Sequence, residues 1–323
     1  MPGRGPVAMS RALRRDAWTI GLGVLLAVLL VVTKLIQPGF GASGLESLAR
    51  AALPFAFATA AMAIVVIAGG IDLSVAAVMA VASVSVAVIM ERFPGLGPAI
   101  IPLAIIIGAC MGALNGALVV LTKLPDIVVT LAMLFVWEGT ALLILKAPGG
   151  AAYPWLMDIL RGSFLIPVLP MAVAVGLACI LPFWWIMTRT RLGLAIHAIG
   201  SDPVAAFRSG VAVGWTRIAA YTLAGMLAGL GGLSLTLSTG IGEPIPGPYL
   251  LAAIAAVVLG GVALSGGKGG LIGPLIAVIV LRLVRMMLTL LSVDPNVTTI
   301  IEGTIMVAVV MFGGFVALRS RRS

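Results

Sequence analysis

The sequence predicts an all-α integral membrane protein with about ten transmembrane helices and an internal repeat. Its mean hydropathy is +1.22, and only 10% of its 323 residues are charged, against about 25% in a typical soluble domain. It also contains apolar runs longer than the roughly 18 residues that mark a spanning helix. Since so few charges cannot cover a surface in water, lipid must solvate the chain.

The predicted spans are separated by glycine, proline or charged residues. They cover residues 18–36, 50–68, 73–90, 99–121, 127–146, 166–187, 217–239, 249–265, 270–291 and 298–318. The apolar stretch from Arg50 to Met90, about 40 residues, is too long for one helix across a core of about 30 Å. Gly69-Gly70-Ile71-Asp72 divides it, either as a tight hairpin or as a re-entrant break. The chain is thus predicted to be a single transmembrane domain, residues 1–323.

The positions of Lys and Arg predict the orientation. With a cytoplasmic N-terminus, 13 of the 20 basic residues lie on the cytoplasmic side, as the positive-inside rule requires. Both tails (1–16 and 319–323) and the loop 188–216 are then cytoplasmic. The net charge of +9 therefore has a topological cause and does not indicate a nucleic-acid partner. Cys110 and Cys179 both lie in apolar stretches, which indicates neither a disulfide nor a metal site.

The cytoplasmic loop 188–216 contains a predicted short helix. Asp202 can cap it, Pro203 suits its first position, and Gly210 can end it. The helix would cover residues 204–209. A short cytoplasmic helix between spans is either an ordinary surface helix or the contact for a partner subunit, and local chemistry leaves both interpretations open.

Two segments of the chain repeat one another. Ile64–Ser74 (IVVIAGGIDLS) aligns without gaps with Ala255–Ser265 (AAVVLGGVALS), with Gly-Gly and Leu-Ser at the same offsets. Membrane transporters are often built from such repeats, with the substrate path between them and broken helices close by. The proline-rich segment 240–248 (GIGEPIPGP) is predicted to be a rigid extracytoplasmic loop.

Eight short motifs occur in a characteristic order between about Leu53 and Val310. They are AGGIDLS (68–74), NG (115–116), TL (130–131), AIG (198–200), AA (205–206), SGV (209–211), AIAAVVLGG (253–261) and LSGG (264–267). In this series the chain resembles the ribose-type sugar permeases of bacterial ABC importers, a group related to the branched-chain amino-acid permeases.

The resemblance implies a transport subunit of the bacterial inner membrane, not an enzyme. It would translocate a small polar solute, by default a monosaccharide, with a second permease copy or paralogue, two ABC ATPase subunits and an extracytoplasmic solute-binding protein. ATP and Mg would bind to the ATPase, since this sequence has no Walker P-loop, and we expect no cofactor, metal or catalytic residue here. The loop that docks on the ATPase would use Asp202, Ala205, Ala206, Phe207, Arg208, Ser209 and Gly210.

Several residues depart from the pattern of these permeases. Glu138 replaces a usual arginine, Glu302 a usual basic or amide residue, and Tyr249 lacks the acidic residues that usually follow it. Arg282 and Arg285 lie in a span that is mostly apolar in relatives. These changes look compensatory, and they leave the solute open among pentoses, hexoses, polyols, sugar acids, nucleosides and amino acids.

Polar residues within or beside the spans are candidates for the translocation path or its gate: Asp72, Asn115, Thr130, Glu138, Arg282 and Arg285. Asp72 could instead cap the third span, and Asn115 and Thr130 could make interhelical hydrogen bonds. Burying the carboxylate of Glu138 in hydrocarbon is expensive, so it should face the bundle interior or water. We expect it to lie near Arg282 or Arg285.

Candidates for docking of the binding protein are Glu243, Pro244 and Pro246 on the extracytoplasmic loop. The alternative to an ABC permease is an ion-coupled secondary transporter of a small polar or anionic solute, with Glu138 as the intramembrane acid. An intramembrane enzyme is disfavoured because we find no paired catalytic acids. The chain also has one histidine, His197, which we predict to be a surface residue.

Overall fold

The computed structural model describes residues 6–165, 169–245 and 247–320, with side chains for 18–165, 169–245, 247–305, 307, 308 and 311. The described chain is helical apart from short connections. Its helices are α1 (Pro6–Ile36), α2 (Ala42–Ile67), α3 (Val75–Arg92), α4 (Ile100–Thr122), α5 (Asp126–Ile144), α6 (Pro154–Ile159), α7 (Met171–Arg189), α8 (Arg191–Ser201), α9 (Pro203–Arg208), α10 (Val213–Thr239), α11 (Tyr249–Leu259), α12 (Ile272–Leu290) and α13 (Pro295–Ser320).

Within the described residues, eight helices are long and apolar enough to cross a membrane. The predicted class, an all-α integral membrane protein, is confirmed. The predicted span 249–265 is shorter than expected, because α11 has 11 residues and ends at Leu259. The side chains of α13, on the last predicted span, are described only in part. The number of ten spans and the cytoplasmic side of both termini therefore stay predictions.

Helix α10 forms the centre of the bundle and packs against α2, α3 and α4. Its contact with α4 is built from glycines on both helices. A Cβ atom on Gly112 would lie 2.3 Å from the carbonyl oxygen of Tyr221, and one on Gly108 would lie 2.1 Å from that of Gly225. Small residues let membrane helices approach this closely, so the two backbones are in direct contact.

Replacing Gly112 with alanine is expected to lower stability by about 1–3 kcal/mol, because overpacking forces the two backbones apart. The measurement is the midpoint of thermal unfolding of the purified protein in detergent. Gly139→Ala is the matched control, since nothing lies within 4 Å of its Cβ position. Equal midpoints for the two variants would contradict the importance of the close contact.

The direction of α2 follows from its contacts with α10. The hydroxyl of Ser238, at the end of α10, lies 3.4 Å from the carbonyl oxygen of Arg50 on α2. Tyr221, near the start of α10, lies beside Gly70, just after α2. The two helices are therefore antiparallel.

Helix α3 runs in the opposite direction to α2. Gly231 packs on Met79, near the start of α3, and Gly242, just after α10, packs on Ala87 near its end. Since α3 is parallel to α10 and α2 is antiparallel to it, residues 68–74 form a tight hairpin. This resolves the two alternatives that the sequence left open.

The two halves of the internal repeat meet at their glycine breaks. The amide of Gly267, in the break that follows α11, donates a 2.9 Å hydrogen bond to the carbonyl of Ile67, the last residue of α2. A Cβ atom on Gly266 would lie 2.7 Å from the Cα of Gly69. Gly69 and Gly266 have φ angles of 84° and 83°, a conformation that glycine adopts without strain. The breaks thus form one contact at the predicted cytoplasmic end.

Candidate functional site at the helix breaks

The short helix α9 forms as its local sequence predicts. The Asp202 carboxylate accepts hydrogen bonds from the amides of Val204 and Ala205, at 2.9 and 3.0 Å. Pro203 is the first helical residue, one position earlier than expected. Gly210 has a φ angle of 85° and follows the end of the helix. An acidic cap, an initial proline and a final glycine therefore define a rigid six-residue helix.

Helix α8, which directly precedes α9, contacts the two glycine breaks. At its end, a Cβ atom on Gly200 would lie 1.9 Å from the carbonyl oxygen of Ile67 and 2.6 Å from the amide nitrogen of Gly267. Any side chain at position 200 would overlap both backbones. His197 also lies close to the second break, with Nε2 3.4 Å from the carbonyl oxygen of Gly269, so it is only partly on the surface. Helix α8 therefore touches both glycine breaks at once.

A buried polar cluster stabilises the first break. One oxygen of Asp72 accepts hydrogen bonds from the amide and the hydroxyl of Ser74, at 2.9 and 2.6 Å. The side-chain amide of Asn115 donates to the Ser74 hydroxyl at 2.7 Å, and the indole of Trp137 donates to Asn115 at 3.1 Å. Asp72, Ser74 and Asn115 are all buried. The cluster joins the break to α4 and α5.

The predicted capping role of Asp72 is wrong. Helix α3 begins at Val75 with Ser74 as its N-cap, and Asp72 holds the turn that precedes this cap. Asp72 lies in the connection between the two helices, where burial raises the pKa of its carboxyl to about 6 and the hydrogen bonds from Ser74 oppose that rise.

The cluster continues through Asp126, which the sequence analysis did not select. Its carboxylate accepts a 2.9 Å hydrogen bond from the Tyr221 hydroxyl and lies 3.6 Å from the guanidinium of Arg217. The Thr130 hydroxyl lies 2.9 Å from the carbonyl of Asp126 and accepts a hydrogen bond from the amide of Leu73. The only local signal for Asp126 was an acid in the first turn of a helix. The break is thereby bonded to the start of α10, immediately after α9.

Three other candidates for the path lie away from the breaks. Arg285 pairs with Glu302 at 2.6 Å, and the guanidinium of Arg282 lies 3.9 Å from the same carboxylate. Glu138 forms no ion pair with any described side chain, so the predicted pairing with an arginine is wrong. Its helix α5 packs on α3 and α4, whereas α12, which carries both arginines, packs on α1, α2, α11 and α13.

Comparison with known proteins identifies the family of the chain. The family described as "Branched-chain amino acid transport system / permease component" matches residues 44–310. The chain belongs to this family. The permease is also similar to the autoinducer 2 import system permease protein LsrD of Escherichia coli strain K12 and of Shigella flexneri. Each is 27% identical over 318 residues, covering 92% of both chains. No solved structure matches it.

The permease exposes apolar side chains around α9. Phe207 is 69% exposed, and Leu194 on α8, Val204 on α9 and Trp215 at the start of α10 are exposed as well. Exposed apolar patches of this kind mark binding surfaces, and large aromatic side chains dominate such surfaces energetically. Ala206, by contrast, is buried and anchors the helix to the permease.

Two of the predicted docking candidates for the binding protein, Glu243 and Pro244, pack against the helix bundle. The amide of Glu243 donates a 3.1 Å hydrogen bond to the Ser83 hydroxyl of α3, and Pro244 is buried. Pro246 lies outside the described residues. In the permease, residues 240–245 therefore pack along α3, while Ile245 is 70% exposed.

Proposed function

We propose that this chain is the membrane-spanning permease subunit of an ATP-driven ABC importer for a sugar-like solute, in the bacterial cytoplasmic membrane. The observation that carries the proposal is the contact of α8 with both glycine breaks, next to α9 with its exposed Phe207. Two ABC ATPase subunits, a second permease copy or paralogue and an extracytoplasmic solute-binding protein would complete the importer. ATP and Mg bind to the ATPase in this proposal.

The mechanism begins at α9. Docking of the ATPase on Phe207 and its apolar neighbours moves α9 when ATP binds. Because Gly200 is in backbone contact with Ile67 and Gly267, this movement reaches both repeats together. The buried cluster around Asp72 bonds the first break to α4, α5 and α10, so these helices move with it. Access to the path then alternates between the two faces of the membrane.

The solute class rests on the resemblance to ribose-type permeases and on the site chemistry. The LsrD proteins are described as importing autoinducer 2, whereas the family description refers to branched-chain amino acids. A sugar-like solute agrees with the motif series from residue 68 to residue 267, which is that of the sugar permeases.

Ion coupling is less well supported by the placement of the acids. A proton relay needs a chain of intramembrane carboxylates, but Asp72 and Asp126 both lie at the same end of the bundle. Glu138 has no polar partner among the described side chains. Nothing in the described residues links these acids across the membrane.

The test is ATP hydrolysis in liposomes that contain this permease, its candidate ATPase and its candidate binding protein. Binding protein loaded with its solute is expected to raise the rate of hydrolysis above that with empty binding protein. Solute uptake that proceeds without ATP or ATPase would overturn the proposal.

A further inference from the structure

The chain before α11 is not helical, unlike the chain at the same distance before the first glycine break. Extended at the same offset beyond the aligned residues 64–74 and 255–265, the repeat places residues 240–248 opposite residues 49–57 of α2, which are helical throughout. The described residues of 240–248 contain no helix, and α11 begins only at Tyr249. Prolines at 244, 246 and 248 remove amide donors that a helix would need. At membrane depth, non-helical backbone is tolerated only where protein buries it or where it lines a cavity.

Helix α11 begins deep inside the bundle. The ring of Tyr249 lies 4.3 Å from the ring of Phe55, which is near the midpoint of α2 (Ala42–Ile67). Eleven residues of helix span about 16 Å, roughly half of a hydrocarbon core of about 30 Å. Transporters place solute sites where such half-helices begin near the membrane midplane.

A narrow cavity lies beside the start of α11, and one buried nitrogen of a charged side chain there donates no hydrogen bond. The cavity is lined by Phe55, Pro248, Ala252, Arg282 and Glu302, with apolar side chains of α12 and α13. The guanidinium of Arg282 lies over the Phe55 ring, 4.1 Å from its centre. Its Nε is buried and donates no hydrogen bond. A buried donor without an acceptor is unfavourable, and a solute oxygen in the cavity would supply one.

Ion pairing links the charged groups at this cavity. Arg282 and Arg285 share the carboxylate of Glu302. The guanidinium of Arg282 and the carboxylate of Glu302 offer donors and acceptors beside the ring of Phe55, which suits an uncharged ring with several hydroxyl groups.

We propose that the cavity at the start of α11 is the intramembrane solute site, and that it takes a monosaccharide or a cyclic polyol. Phe55 contacts the apolar side of the sugar ring, Arg282 donates to a ring hydroxyl, and Glu302 accepts from one. This assignment rests on the proposed function and deepens it. In this conformation the cavity holds little more than one water molecule, so entry of the solute requires α11 to move away from α12.

The test uses cysteine labelling in the full-length permease with Cys110 and Cys179 replaced by serine. Ala252→Cys places a thiol in the cavity. Ala253→Cys is the matched control, because Ala253 is the adjacent residue of α11, is as deeply buried and does not line the cavity. Both variants are reconstituted in nanodiscs, after monodisperse elution in size-exclusion chromatography, and treated with a water-soluble maleimide. Mass spectrometry measures the rate of labelling.

Ala252→Cys is expected to label faster than Ala253→Cys, because the movement of α11 away from α12 opens the cavity to the maleimide, and D-ribose or D-glucose is expected to slow that labelling. Glu302→Gln in the same background is expected to abolish the protection by sugar. Equal labelling of the two cysteines would overturn the site. Protection by L-leucine, without protection by either sugar, would overturn the sugar class. Both results are independent of the ATPase stimulation that tests the proposed function, so the two failures are distinguishable.

Discussion

Phe207→Asp is expected to abolish solute import while leaving the permease folded. Phe207 is 69% exposed on α9, so the substitution opens no cavity in the permease. It places a charge on the surface that we propose binds the ATPase. Loss of an aromatic anchor from an interface commonly costs about 2 kcal/mol or more, which corresponds to about 30-fold weaker binding.

The measurement is co-purification of the ATPase with the tagged permease, followed by uptake into proteoliposomes. Phe93→Asp is the control, because Phe93 is 60% exposed but lies at the opposite end of the bundle, just after α3. The control is expected to retain the ATPase. If Phe207→Asp also retains it, α9 is not the docking element.

Gly200→Ala is expected to uncouple ATP hydrolysis from transport. Its methyl group would lie 1.9 Å from the carbonyl oxygen of Ile67 and 2.6 Å from the amide of Gly267. Both neighbours are backbone atoms that are hydrogen-bonded to each other, so α8 must move away from the breaks. Overpacking of this kind costs about 1–3 kcal/mol of stability. Phe207 stays exposed, so the ATPase still binds, but its movement no longer reaches the breaks.

Uptake and ATP hydrolysis are measured together for this variant, below its midpoint of thermal unfolding. We expect hydrolysis to continue and uptake to fall by more than about tenfold, equivalent to about 1.4 kcal/mol in the barrier. Gly214→Ala is the control, because its Cβ would meet only the Val120 side chain, at 3.2 Å, which can shift. A parallel loss of uptake and hydrolysis in Gly200→Ala would contradict transmission through this contact.

Local chemistry predicted the features of the permease that depend on neighbours in sequence. Hydropathy located the helices, because a spanning helix needs a continuous apolar stretch. The start of α9 followed from Asp202 and Pro203, whose effects act within a few residues. The Gly69-Gly70 pair correctly indicated the first break, since glycine adopts positive φ angles at little cost, whereas the second pair was placed inside a predicted span.

Features that depend on distant neighbours could not be predicted in the same way. The sequence shows that Glu138, Arg282 and Glu302 are unusual, but it does not show which helices are adjacent. The prediction that Glu138 lies near Arg282 or Arg285 was therefore wrong. Asp126 was missed because its partner Tyr221 is 95 residues away. The span predicted from hydropathy ran past Leu259 because the residues of the break that follows α11 are themselves apolar.

Helix α10 runs from one end of the bundle to the other without a break. It begins at Val213, five residues after α9, and ends at Thr239, next to the segment that leads into α11. Its 27 residues extend about 40 Å, and its glycine contacts with α4 stiffen it along the way. Because α10 is unbroken, an axial displacement at its start would move its other end, and the segment that leads into α11, with it. The start of α11 would then move together with α9.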